Sequence, residues 1–167
     1  MSMSEMRELY VSQLKELYSA EQQILRALPN LARLSSDQTL KATFEEQIVR
    51  TEEHVRRLDR IFAGLGEEPF GRVSKGLAGL VEEENEALEA LETRPKLRDA
   101  ALLSAAQRVE HYEIAGYGAA RTYAESIGDR EAAQLLQETL DDAGHADKRL
   151  TRIALSTVNE KVKLAGE

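Results

Sequence analysis

Apolar residues return every three or four positions through most of this chain, in four long stretches and one shorter one. That spacing marks helices with one buried stripe each. The first helix is expected from near Ser4, with Tyr10, Leu14, Leu17, Glu21, Ile24, Leu28 and Leu31 facing inward. Pro29 should kink or loosen its last turn, and Ser35-Ser36-Asp37 reads as a stop followed by a fresh N-cap. The second runs from about Asp37 to Ala63, closed by Gly64 and Gly66, with the stripe Leu40, Phe44, Ile48, Thr51, Val55, Leu58 and Phe62. A linker, Glu67-Glu-Pro-Phe-Gly-Arg72, leads to a shorter amphipathic stretch of about Val73 to Leu91. Gly76 and Gly79 weaken its start, and Glu82-Glu83-Glu84 reads as a solvated face.

The third long helix opens at Thr93-Arg94-Pro95 and ends at Gly128, with Leu103, Ala106, Glu110, Glu113, Tyr117, Ala120 and Ala124 inward. The fourth takes Asp129 as N-cap and runs to about Val158, its stripe being Ala133, Leu136, Leu140, Ala143, Asp147 and Leu150. Residues 159–167 are expected to fray. Helices of similar length joined by short turns pack antiparallel. With the crossover of about 66–95 between the second and third long helices, the expected fold is all-α. It is a single domain, 1–167, built as a ferritin-like up-down four-helix bundle with an additional short helix in the crossover.

The stripes are interrupted by acid. Glu110 and Glu113 fill two consecutive inward positions, and a buried carboxylate costs several kcal/mol unless something neutralises it. A shared cation does this for adjacent carboxylates. Turn counting sets Glu21 level with residues 50–51, hence with Thr51, Glu52 and His54, and sets Glu113 between Asp142 and His145. Di-iron bundles take a Glu from each of two helices and Glu-x-x-His from each of the others, because residues three apart share a helix face. The candidate ligands are therefore Glu21, Glu52, His54, Glu110, Glu113, Asp142 and His145. Thr51 stands where the second helix should carry a Glu, so either His54 ligates alone, or Glu52 turns in, or that half-site is weak. Iron, as one or two ions, suits this donor set, with manganese or zinc as alternatives. Tyr117, four residues after Glu113, is placed to hydrogen-bond it.

Composition narrows the classes of function. Charged residues make up 31% and aromatics 5% of the chain, as in long amphipathic helices, and the net charge of −8 argues against a nucleic-acid partner. There is no cysteine, so no thiolate can hold the metal. With no long apolar run and no signal peptide, a cytoplasmic protein without a membrane partner is expected.

Tyr18-Ser-Ala-Glu-Gln-Gln, Arg98-Asp-Ala-Ala-Leu, Val109-Glu-His-Tyr-Glu-Ile-Ala-Gly-Tyr-Gly118 and Glu138-Thr-Leu-Asp-Asp142 resemble the YciE/YciF family of ferritin-like bacterial proteins. The resemblance covers nearly the whole chain. It implies a homodimeric bundle related to rubrerythrins and associated with stress responses, and it supports His54, Glu110, Glu113, Asp142 and His145 as ligands. Two classes of function follow. One is a metal protein that reacts with oxygen or peroxide, its electrons coming from a separate donor protein. The other is a non-catalytic stress protein whose buried carboxylates are structural or bind metal for stability alone.

Overall fold

The computed structural model describes residues 2–158, so the tail expected to fray, 159–167, lies outside the described residues. Its elements are α1 (Met3–Leu34), α2 (Gln38–Leu65), α3 (Lys75–Ala90), α4 (Pro95–Ser126) and α5 (Arg130–Ile153), after which Ala154–Val158 form one π-helical turn. Local chemistry accounts for the ends. Ser2 and Glu5 form a reciprocal capping box on α1, Asp37 accepts from Thr39 and Leu40 at the start of α2, and Asp129 caps α5 through Ala132. Gly66 ends α2 at φ 66°, where only glycine avoids strain. Pro29 does not end α1, which continues to Leu34. Its ring lies on the exposed side of the helix, away from the core.

α1 packs mainly on α2, and α4 on α5, with α1 against α4 closing the bundle. The crossover helix α3 returns the chain from the end of α2 to the start of α4 and lies against α1 and α4. Gly76 is needed there, because a Cβ would meet the Tyr112 ring at 2.9 Å.

The core falls into two apolar clusters. One gathers Ile24, Leu28, Phe44, Leu77, Leu102 and Leu150. The other gathers Tyr10, Leu14, Leu58, Phe62, Tyr117 and Leu136. Between them every long helix changes character: Glu21 on α1, Thr51 and His54 on α2, Glu110 and Glu113 on α4, Asp142 on α5. The bundle thus carries one polar layer across its middle, and the layer is closed to water except at Asp142.

Two expectations about buried faces are corrected. On α2 the inward positions through this layer are Gln47, Thr51, His54 and Leu58, so His54 takes the place expected for Val55. Glu84 does not lie on a solvated face. It is 5% exposed, because it falls on the same stripe as Leu77 and Leu88, and α3 is packed against both α1 and α4.

Candidate metal centre

The centre of the polar layer is the His54 imidazole, with no exposed surface. Its Nδ1 lies 3.4 Å from Glu21 Oε1 and 3.6 Å from Glu113 Oε1. Its Nε2 lies 3.5 Å from Asp142 Oδ2. These are ion-pair distances, yet neither ring nitrogen makes a hydrogen bond. Both oxygens of Glu113, Oε2 of Glu21, Oε2 of Glu110 and the Thr51 hydroxyl are also buried without a hydrogen-bond partner. So many unpartnered donors and acceptors in one layer are costly, and in native proteins such groups point to an ion, a water or a proton.

The spacing suits an ion. Two ligands about 2.1 Å from a metal at the tetrahedral angle stand about 3.4 Å apart, close to the 3.4 and 3.6 Å measured from Nδ1. Among the described residues, Glu21, His54 and Glu113 form a group whose ligand atoms all lie within 4.8 Å of one another. This layer can hold one metal ion.

The surrounding residues orient these three. Tyr117 donates to Glu21 Oε1 at 2.5 Å, in place of the bond to Glu113 expected from the sequence. Arg57, one turn beyond His54, donates to Asp142 Oδ2 at 2.7 Å and to the Thr139 hydroxyl at 3.1 Å. Sequence reasoning passed over Arg57, although His54-x-x-Arg57 and Thr139-x-x-Asp142 both have the three-residue spacing of a shared face.

Without a metal the layer is held by protons. Burial alone would push His54 down, but Glu21, Asp142 and Glu113 outweigh it and hold the imidazole well above its usual range. Glu113 is pushed up by burial and then by Glu21, and Glu110 by burial and then by Glu113. The nearby His54 imidazole leads the effects that hold Asp142 well below the carboxylate range, with Arg57 adding to it.

Five of the seven predicted donors lie in or beside the layer. Glu21, His54 and Glu113 form the group itself. Glu110 is buried next to Glu113, and half-buried Asp142 reaches His54 from α5. Glu52 and His145 are not brought in, since both side chains are exposed. Thr51 and His54 are the inward pair of α2, which turns Glu52 about 100° away from Thr51 and about 160° away from His54. On α5 the inward residues are Thr139, Ala143, Ala146 and Leu150, and His145 sits on the flank of Ala146.

Burial raises the Glu84 carboxyl to about 7, with Arg108 pulling it partly back. Between the ordinary carboxylate value and 7, the folded chain therefore binds more protons here than the unfolded one. This group's contribution to stability falls as pH rises through that window. Glu84→Gln should match the parent near pH 5 and exceed it in stability by about 2 kcal/mol at pH 8, read by urea unfolding at both pH values.

A helical bundle with a buried carboxylate–histidine layer belongs to the ferritin-like class. The ferritin-like fold also occurs in a two-domain protein from Anabaena variabilis described as containing DJ-1/ThiJ/PfpI-like and ferritin-like domains. That protein is 20% identical, with a TM-score of 0.62, covering 90% of this chain and 37% of its own. Residues 5–163 match the family described as "Domain of unknown function (DUF892)". Protein YciF of Escherichia coli (strain K12) is 40% identical over 164 residues, 98% of either chain. The chain therefore belongs to the YciE/YciF family, DUF892. The crystal structure of the E. coli stress protein YciF superposes with a TM-score of 0.87 over 92% of this chain and 97% of its own, at 39% identity. A putative structural protein from Rhodopseudomonas palustris, YcfI, does so with 0.85 over 87% and 92%, at 32% identity. Among the described residues no helix is long and apolar enough to cross a membrane.

Proposed function

We propose that this protein holds one iron ion through Glu21, His54 and Glu113 and reduces dioxygen or hydrogen peroxide there, as a stress-response activity of a homodimer. The observation that carries this reading is the set of unpartnered buried ligand atoms around His54 at metal-like separations. One imidazole and two carboxylates accept iron, manganese or zinc, and iron adds redox chemistry. A second ion is disfavoured: Arg57 already occupies Asp142, and Thr51 stands where a further carboxylate would.

The chain's own residues would divide the work. Glu21, His54 and Glu113 hold the ion, Tyr117 fixes the Glu21 carboxylate, and Glu110, pushed up by burial, keeps a proton beside the centre. Ferrous iron bound there would supply one electron at a time. Reducing hydrogen peroxide to two waters takes two electrons and two protons, so a separate donor protein completes the reaction. A cysteine-bound iron cannot be built into a chain without cysteine.

A second reading has its own support, because His54 held protonated among three carboxylates makes a purely structural ion cluster. Anaerobic loading with ferrous iron, then mixing with dioxygen or peroxide, separates the two. The iron reading expects about one iron per chain, oxidised on mixing faster than free iron. Iron that fails to bind, or binds and oxidises no faster than in buffer, favours the structural reading.

A further inference from the structure

A cavity of about 40 Å³ runs from the polar layer into the apolar half of the bundle. Glu110 and Glu113 form its inner end, and Ile24, Leu28, Phe44, Val109 and Leu150 supply much of its wall. Its outer end meets a groove between α1 and α3, lined by Ser19, Gln23, Arg26, Asn30 and Asn85. Ala27, Leu31, Val81 and Glu84 belong to both walls. These four residues are the partition between solvent and the space that reaches the carboxylates. Glu84 is 5% exposed, and its Oε1 has no hydrogen-bond partner.

We propose that this cavity is the access route and holding site for a small neutral oxidant, dioxygen or hydrogen peroxide, which passes between α1 and α3 at Ala27 and Glu84. The proposal rests on the iron reading and names the substrate's path to that site. Size is the first argument, since the volume suits two or three water-sized molecules and no larger organic substrate. Polarity is the second. A divalent cation would have to shed its water against aliphatic walls, at a cost of several kcal/mol. The groove outside also presents Arg26 rather than a ring of acids. Dioxygen loses little on entering such walls, and peroxide needs only a few polar partners. Glu84 offers peroxide one at the threshold, and Glu110 another at the inner end, where Oε2 is unpartnered.

Ala27 is the position to block, because it is only half-buried and lies on both walls. Xenon serves as the probe of the metal-free protein, being apolar and of suitable size. Crystals under xenon pressure should show a xenon atom in the cavity of the parent and none in Ala27→Phe, with Val81→Trp as a second block. In iron-loaded protein, Ala27→Phe should slow oxidation by dioxygen, by peroxide or by both at least about tenfold, at unchanged iron content and melting temperature. The oxidant whose rate falls is the one that uses the route. A cavity that takes up no xenon, or blocked variants that keep xenon or react at the parental rate, would overturn the proposal. If iron does not load, the iron reading fails on its own, and the xenon arm still decides whether the cavity is open to the groove.

Discussion

His54→Gln should lower the affinity for ferrous iron by about 100-fold or more while the bundle stays folded. The chain has three histidines, and the other two, His111 and His145, are exposed. His54 alone presents an imidazole to Glu21 and Glu113. Glutamine has similar reach, and its amide can still donate to one of the flanking carboxylates, so the layer keeps a polar partner. What it lacks is the ring nitrogen that binds the ion and the positive charge that holds the layer together without one. His54→Ala would be a poorer probe, because it would leave the carboxylates facing one another around a hole. The loss should appear in an anaerobic iron titration, with His145→Gln as the control that leaves affinity unchanged. Equal affinities for His54→Gln and the parent would place the ion elsewhere.

The second large effect is on stability. Asp99 at the start of α4 is 3% exposed, and its carboxylate accepts from the Ser36 amide at 2.8 Å, the Ser36 hydroxyl at 2.5 Å and the Asp37 amide at 2.9 Å. One side chain thereby ties the turn between α1 and α2 to a helix 62 or 63 residues away in sequence. Asp99→Ala would remove the acceptor of the buried Asp37 amide and of the partly buried Ser36 amide and should cost about 3 kcal/mol, measured as a lower urea midpoint at unchanged slope. Asp99→Asn, which keeps one carbonyl acceptor, should recover part of that.

Much of the site was legible because a carboxylate in an inward position contradicts its surroundings. Glu21, Glu110 and Glu113 stand out for that reason alone, and all three are buried in the layer. His54 was legible by height but not by phase. The apolar stripe of α2 pointed to Val55, and a one-residue error in phase is 100° on a helix. The same rotation separates buried Thr51 from exposed Glu52, and Ala146 from exposed His145. Glu84 was misread for a different reason. Three successive glutamates resemble a solvated face, but Glu84 lies seven residues after Leu77 and four before Leu88, on the stripe of α3 that packs against two helices at once. The glycines held a fainter signal of that packing. Gly76 lets α3 approach Tyr112, and Gly116 lets α4 approach Leu17, where a Cβ would come within 2.7 Å. Arg57 lies on α2 while Thr139 and Asp142 share one face of α5, so only the assembled bundle brings Arg57 to that pair.

The central claim is that one iron sits in the polar layer between the two apolar clusters. Crystals grown anaerobically with ferrous iron and measured at the iron absorption edge test it most directly. The account predicts a single anomalous peak within about 2.2 Å of His54 Nδ1 and of oxygens from Glu21 and Glu113. An ordered but empty layer, or iron bound only at exposed residues such as Glu52 or His145, would contradict it.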